Sequence, residues 1–181
     1  MTGAYRVVDL DAALMQSRLA DILALEALFY HDFGLNYSHE LWNAEHFLLP
    51  RPGKWKLSKA AIAGDDRLIG FWIASHDGAE ELRGHRGGTH PDWRGAGIWR
   101  VFYERIYADG QQLGLKTMSH TVSAFNPNAV RAWQALGFRI LSGPALEQFR
   151  TQRGRDEERI EGDRLVTPQG FAYHALFQEI Q

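Results

Sequence analysis

The sequence lacks cysteine altogether and has only six prolines among its 181 residues. Without thiols, the chain can form no disulfide, no cysteine-ligated zinc site and no cysteine nucleophile. The net charge is also small, at −2, so the composition predicts no bulk attraction to nucleic acid or to an anionic membrane. No apolar run approaches the roughly 20 residues of a membrane helix, and the first residues lack the basic-then-apolar pattern of a secretory signal.

The remaining composition is that of one globular domain, which we expect to span residues 1–181. Hydrophobic residues make up 45% of the chain and charged residues 23%, which is enough apolar material for a sizeable core. The sequence has no repeats, no low-complexity tract and no linker. We therefore expect a single α/β domain in the cytoplasm.

A glycine-rich turn between a strand and a helix is the most informative local pattern. Residues 81–89 are extended in character, and apolar residues then recur every four positions from Ile98 onwards, which predicts one face of a helix. Between them, Gly95 and Gly97 let successive N–H groups point at one spot. The first helical turn adds unpaired N–H groups and the positive end of the helix dipole. This arrangement predicts a pyrophosphate site, with a surface turn that binds nothing as the alternative.

Together with a second segment, this turn resembles the GNAT (Gcn5-related) N-acetyltransferase family. The acetyl-CoA loop of that family reads Arg/Gln-x-x-Gly-x-Gly/Ala, and these places are held here by Arg94, Gly97 and Trp99. The next family segment reads Asn-x-x-Ala-x-x-x-Tyr-x-x-x-Gly-Phe, and its places are held by Asn126, Ala129, Trp133, Gly137 and Phe138. Two departures stand out, because Trp99 replaces a small residue and Trp133 replaces the family tyrosine.

The resemblance implies a fold and a co-substrate. The fold is α/β (α+β mixed), with a twisted, mostly antiparallel mixed sheet of about seven strands and helices on both faces. The activity is direct transfer of an acetyl group from acetyl-CoA to an amine, without a covalent acyl-enzyme. The implied cofactor-binding residues are Thr89, His90, Arg94, Gly95, Ala96, Gly97, Ile98, Trp99, Asn126, Ala129 and Trp133.

Periodicity and turn residues give the expected order of elements. Strands are expected at residues 4–10, 55–63, 68–75, 81–89, 116–123, 138–141 and 171–180. Helices are expected at residues 12–30, 38–47 and 128–136. A further helix is expected to begin at residue 98 and to end between residues 110 and 114, with Gly114 just past its end. The charged segment 148–164 is expected to be a solvated loop that contains a hairpin about Gly162 and Asp163.

The candidate general bases lie on the strand before the turn. Simple alternation puts one set of residues on a single face of it: Glu81, Arg83, His85, Gly87 and Thr89. The family often uses a carboxylate base on this strand, so Glu81 is a candidate, and His85 is a second one because histidine titrates near neutral pH. The general acid is less clear, since the indole of Trp133 has no proton to give. Ser123, water or release of CoA as thiolate are the alternatives, together with a loss of catalysis.

The acceptor is predicted to be a small-molecule amine, for example an amino sugar or an amino acid derivative. The substrate candidates are His31, Tyr37, Trp42 and Trp72, with capping and packing as their alternative roles. An anionic acceptor would be attracted by Arg150, Arg153 and Arg155. A protein or peptide amine is a second possibility, and an acyl-CoA sensor or catalytically silent domain is a third. Histidine spacing predicts no metal site, and a homodimer is compatible with the sequence.

Overall fold

The computed structural model describes residues 4–32, 57–76 and 80–181, and the chain divides into two compact units, Met1–Lys116 and Thr117–Gln181. Within each unit the strand pairings are antiparallel. The division does not test whether residues 1–181 form one domain, which stays a prediction. No helix in the described ranges has both the length and the apolar character that a membrane span requires.

The first unit is a four-stranded meander with helices. Its strands pair in chain order and are β1 (Tyr5–Asp9), β2 (Lys59–Ala63), β3 (Leu68–Ser75) and β4 (Glu81–Thr89). Its helices are α1 (Ala12–Ser17), α2 (Leu19–Asp32) and α3 (Ile98–Gln112), and a short 3-10 turn covers Pro91–Trp93. All residues of β2 and β3 are buried, which indicates that both faces of these central strands are covered.

Helices cover both faces of this four-stranded sheet, as the resemblance implied. On one face, Phe71 and Ile73 of β3 belong to a buried cluster with Leu10, Met15, Ile22 and Leu25 from the α1–α2 region. On the other face, a Cβ on Gly70 would lie 3.4 Å from Ile98 and 3.6 Å from Phe102, so α3 packs closely there. The period-four pattern from Ile98 is thus the buried face of α3, which confirms that prediction.

The predicted first helix is divided into α1 and α2 at Arg18. Asp11 caps α1 by accepting from the Leu14 N–H at 2.8 Å. Arg18 pairs with Asp21 and with Asp66 of the β2–β3 turn, and its hydrogen bond to Asp66 holds the pKa of that carboxyl below its usual value. The predicted helix at residues 38–47 lies outside the described residues.

The second unit has five strands, of which the last is central. They are β5 (Thr117–Ser123), β6 (Arg139–Ile140), β7 (Arg159–Glu161), β8 (Arg164–Val166) and β9 (Ala172–Glu179). β5 pairs along the whole of β9, while β6 and β8 pair with separate parts of β9 at its other edge. Two helices complete this unit, α4 (Pro127–Ala135) and α5 (Gly143–Gln152). The described residues therefore hold nine strands in all, not about seven.

The charged segment 148–164 is ordered, and the prediction of a solvated loop was wrong. It completes α5 and then forms the β7–β8 hairpin, whose turn at Gly162 matches the predicted one. Arg150 donates to the carbonyls of Asp156 and Glu158, at 3.1 and 2.8 Å. Arg153 donates to the Ser119 hydroxyl at 2.8 Å. The arginines are held by contacts within the unit, which a count of charges along the sequence cannot reveal.

Candidate functional site

The predicted anion-binding turn has the required backbone conformation. Gly95 and Gly97 adopt left-handed φ values of 81° and 78°. Gly97 is the N-cap of α3, and no side chain caps this helix end. Val101 N–H is the first to bond within the helix, to the Gly97 carbonyl at 3.2 Å. The N–H groups of the first helical turn are therefore free of a competing side-chain acceptor, which leaves them able to bind an anion.

Contacts from β1 and from the 3-10 turn hold this loop in place. The Tyr5 hydroxyl donates to the Ala96 carbonyl at 3.2 Å, and its ring meets the buried Trp93 edge-on at 6.3 Å. His90 N–H donates to the Ile69 carbonyl at 2.8 Å, and His90 Nδ1 accepts from Asp92 N–H at 3.3 Å. His90 is thus a cap of the 3-10 turn. The loop is preorganised, while Arg94 and Gly95 remain exposed on it.

Thr89 ends β4 just before this loop. It is 7% exposed, and its Oγ1 has no hydrogen-bond partner among the residues that the structure describes. Its cross-strand partner is Gly70, so the side chain lies on the α3 face of the sheet. A buried hydroxyl without a partner is costly, which makes Thr89 a candidate donor to a bound molecule.

Trp99 turns inward from the first turn of α3 instead of covering the loop. Its ring lies 5.4 Å from that of Trp72 and 5.9 Å from that of Phe102. The bulk of the indole is accommodated because Gly87, beneath it, has no side chain: a Cβ there would lie 3.0 Å from Trp99. Trp72 is fully buried in the same cluster, which favours packing over substrate contact for this predicted substrate residue.

A bulge in β4 corrects the predicted face of the base candidates. Ile73 pairs with Arg86 and Ala74 pairs with Gly84, so His85 is the extra residue. Side-chain alternation reverses at this point. Glu81 and Arg83 therefore lie on the α2 face of the sheet, whereas Gly87 and Thr89 lie on the α3 face. The prediction that all five residues share one face was wrong, because alternation holds only while the pairing register is unbroken.

The α2 face of β4 carries a polar cluster around the bulge. His85 is exposed, and its Nε2 lies 2.6 Å from the hydroxyl oxygen of the buried Ser75. Arg83 donates to Glu81 at 3.1 Å. Glu26, which is buried on α2, accepts from Arg86 at 3.3 Å. Of the two base candidates, Glu81 is half-buried and paired with an arginine, while His85 is exposed.

In the second unit, Asn126 is the N-cap of α4. Its Oδ1 accepts from the Ala129 N–H at 3.1 Å at the start of α4. Its Nδ2 donates to no other residue in the described ranges, so this group is available to a ligand. Ser123 Oγ accepts from the Phe125 N–H at 3.2 Å, so the predicted acid candidate stabilises the turn after β5.

Trp133 is a core residue of the second unit. It is 5% exposed, with ring contacts to His120 of β5 at 4.7 Å and to Phe138 at 5.0 Å. These contacts explain why an indole is tolerated where the resemblance leads one to expect a phenol. Nothing in its geometry points to proton transfer.

Sequence comparison identifies the family. A family model described as the acetyltransferase (GNAT) family matches residues 19–138, well over half of the chain. The chain belongs to the GNAT acetyltransferase family. A search of curated proteins gave no match.

Solved structures show the same fold as this GNAT chain at low sequence identity. The ribosomal-protein-S18-alanine N-acetyltransferase of Escherichia coli is 14% identical, with a TM-score of 0.67 over 98% of this chain and 95% of that chain. The PaiA N-acetyltransferase of Thermoplasma acidophilum, solved in complex with coenzyme A, is 12% identical, with a TM-score of 0.67 over 97% and 99% of the two chains. Nourseothricin acetyltransferase is 18% identical, with a TM-score of 0.52 over 68% and 65%.

The predicted residues of this GNAT chain fall into two groups, one in each unit. In the first unit the structure brings together Thr89, His90, Arg94, Gly95, Ala96, Gly97, Ile98 and Trp99, with Trp72 beneath. The second unit holds Ser123, Asn126, Ala129 and Trp133. Tyr37, Trp42 and the side chain of His31 lie outside the described residues. No group of three or more potential metal ligands occurs within the described ranges.

Sequence reasoning missed Ser75 and a network in the second unit. The Tyr173 hydroxyl donates to Glu158 and accepts from Arg155. Burial, together with the Glu158 carboxylate, raises the pKa of Tyr173 above its ordinary range, so its phenol stays protonated. Tyr173 lies 18 residues after Arg155 and 15 after Glu158, and no spacing pattern could have linked it to them. Ser75 likewise ends an apolar strand and carries no motif.

Proposed function

We propose that this GNAT chain binds acetyl-CoA and transfers its acetyl group directly to the amine of a small molecule. The observation that carries the proposal is the Gly95–Gly97 turn, with its left-handed glycines at the uncapped start of α3. Such a helix start binds pyrophosphate through its N–H groups and through the positive end of the helix dipole. The buried Thr89 hydroxyl, which has no partner in the described part of the chain, supports a ligand at this end of β4.

Direct transfer requires three events at the thioester. The amine must be neutral when its nitrogen forms the new bond to the acetyl carbon, the carbon–sulfur bond must break, and the proton of the amine must be removed. His85 is proposed as the general base, because it is exposed on β4 and can accept this proton. Water or the Ser123 hydroxyl is proposed to protonate the departing thiolate. The chain has no cysteine to carry an acyl intermediate.

A small-molecule acceptor, such as an amino sugar or an amino acid derivative, is our preferred substrate class. The named neighbours include enzymes for a ribosomal protein and for nourseothricin, so a protein or peptide amine is the alternative. The internal contacts of Arg150, Arg153 and Arg155 weaken the argument for an anionic acceptor. A silent acyl-CoA sensor is the third candidate, favoured by the burial of Trp133 where the family has tyrosine.

Calorimetric titration followed by a turnover assay tests this proposal. We expect acetyl-CoA to bind with a micromolar dissociation constant and ATP to bind more weakly or not at all. With a panel of amines, release of free CoA above the hydrolysis background identifies an enzyme. Binding without release identifies a sensor, and no binding of acetyl-CoA or CoA would refute both.

Alanine in place of Gly97 should weaken acetyl-CoA binding by about tenfold or more. A Cβ at a φ of 78° strains the backbone by roughly 1–2 kcal/mol and turns the N–H groups of the turn away from the anion. The matched control is Gly114→Ala at the other end of α3, where φ is 70° and the space is equally open. Both variants should lose similar stability in thermal unfolding. Equal acetyl-CoA affinities in the two variants would exclude the turn as the binding element.

Replacing Asn126 separates its capping role from a ligand-binding role. Asn126→Ala should lose about 1 kcal/mol of stability, because the Ala129 N–H loses its acceptor. It should also bind acetyl-CoA about fivefold more weakly, since one hydrogen bond contributes roughly 1 kcal/mol. Asn126→Ser retains a capping oxygen without the amide donor, so it should keep the stability and still lose affinity. If calorimetry finds Asn126→Ser unchanged in affinity, the residue is only a cap.

A further inference from the structure

The contact between Ser75 and His85 is the least expected feature of the polar cluster on β4. Ser75 ends β3 and is 2% exposed, yet its hydroxyl oxygen approaches the Nε2 of the exposed His85 to 2.6 Å. The bulge at His85 makes this contact possible. Arg83, not His85, is the cross-strand partner of Ser75, and the extra residue is displaced from the ladder towards it.

We propose that Ser75 is a positioning residue that fixes the tautomer and orientation of the His85 imidazole. The inference rests on the proposed function, in which His85 accepts a proton from the amine. In the arrangement we propose, Nε2–H donates to Ser75 Oγ, so the lone pair for proton transfer is on Nδ1. When Nδ1 takes up the proton, the bond from Nε2–H to Ser75 persists and stabilises the imidazolium.

The burial of Ser75 supports this role. A hydroxyl that is buried at the end of a fully buried strand has fewer positions open to it than an exposed ring, so the contact restrains mainly the ring. Orienting a base by a second hydrogen-bonding group is a general device for setting which ring nitrogen is protonated. The opposite tautomer, with Ser75 donating to Nε2, would place the proton on Nδ1 and leave no lone pair for the amine.

The charged side chains that the structure describes on β4 beside His85 form ion pairs. On β4, Glu81 binds Arg83. Arg86, next to His85, binds Glu26 of α2. Among the described residues, the end of β3 is followed by one more titratable side chain, that of His76. Loss of the Ser75 hydroxyl changes none of these charges, so a changed titration of His85 in a Ser75 variant reports on the hydrogen bond itself.

Nuclear magnetic resonance of the histidine rings tests the proposal without any need for turnover. Long-range proton–nitrogen correlation spectra identify the tautomer of each ring across a pH titration, and His85→Gln assigns the signals of His85 by their disappearance. We expect neutral His85 in the unmodified protein to carry its proton on Nε2. In Ser75→Ala we expect a mixture of tautomers and a titration midpoint at lower pH. A neutral Nδ1–H ring in the unmodified protein, or an identical midpoint in Ser75→Ala, would overturn the proposal.

Kinetics provide the second measurement once an amine substrate is known. Ser75→Ala should reduce kcat by about tenfold, a part of the roughly 10²–10⁴-fold that general base catalysis contributes, with KM for acetyl-CoA unchanged. The acidic limb of its pH–rate profile should move to lower pH. An unchanged kcat and pH profile would contradict the positioning role even if the ring contact exists.

Ser58→Ala is the matched control for these measurements. Ser58 is another fully buried serine beside β3, and its hydroxyl bonds to the Ala74 backbone at 3.0 and 3.2 Å without touching His85. It should leave the His85 titration and the kcat profile unchanged. If the Ser75→Ala variant unfolds, Ser75→Cys is used in its place. The cysteine side chain preserves the volume of the serine side chain, but its sulfur is only a weak hydrogen-bond acceptor. If no acetyl transfer is found, the tautomer measurement still decides the Ser75 contact, so failure of the proposed function is distinguishable from failure of this inference.

Discussion

Gly87→Ala is expected to lower the free energy of unfolding by about 3 kcal/mol, near the upper end of the cost of overpacking. A Cβ at this position would lie 2.3 Å from the Phe71 carbonyl oxygen and 2.8 Å from the Cα of Trp72. Both atoms belong to the backbone of β3, the strand that pairs with β4 here. Relief therefore requires the two strands to separate, which would break ladder hydrogen bonds beside the Trp72–Trp99 contact.

Chemical denaturation followed by tryptophan fluorescence measures this effect. Gly64→Ala is the control, because a Cβ there meets only the Ala4 carbonyl oxygen at an ordinary 3.7 Å, and it should change stability by less than about 0.5 kcal/mol. Trp99→Phe in the Gly87→Ala background should not restore stability, since the shortest contacts are with backbone. A Gly87→Ala protein as stable as the Gly64→Ala control would contradict the close approach of β3 and β4.

The second large effect is expected at the buried ammonium of Lys59. Its side chain is 4% exposed, and Nζ lies 2.6 Å from a carboxylate oxygen of Asp9 and 2.6 Å from one of Asp109. These bonds join β1, β2 and α3. Removal of both carboxylates would leave a buried charge without a counter-ion, and this typically costs about 3–5 kcal/mol.

A double-mutant cycle with Asp9→Asn and Asp109→Asn measures the coupling. Each single variant leaves one carboxylate on Lys59 and should lose about 1 kcal/mol or somewhat more, with the smaller loss at Asp9 because its side chain is 75% exposed. The double variant should lose clearly more than the sum of the two. Adding Lys59→Met to the double variant should recover stability, since the methionine side chain is apolar, is similar in length to lysine and needs no counter-ion. Additive losses without this recovery would show that water solvates the ammonium.

Local patterns explain which parts of the fold could be predicted. The strand before the turn, the helix from Ile98, the cap at Asn126 and the left-handed Gly114 all depend on residues within a few positions of one another. Predictions that depended on the pairing register of neighbouring strands were less successful. The face of β4 was wrong beyond Gly84 because a bulge inserts one residue. The glycines of this strand are compatible with a bulge, but they do not specify its position.

Long-range contacts decided the roles of several candidate residues. The sequence leaves open whether Trp99 restricts the space near the turn or packs inward, and its ring packs over Gly87 against Trp72. The arginines after Phe149 suggested an anion-binding surface, but Arg153 and Arg155 bond to Ser119 and Tyr173 on other strands of their unit. Charge and bulk are visible in a sequence, whereas the direction of a side chain depends on its neighbours in space.

The sequence by itself determined the chemistry that is open to this chain and the place of its glycine turn. The absence of cysteine excludes a cysteine-bound acyl intermediate, and glycine spacing specifies a backbone conformation that few other residues adopt. Only the tertiary structure decided that Ser75 meets His85 and that Trp133 is core. Those outcomes depend on pairing register and packing, which join residues that the chain itself keeps apart.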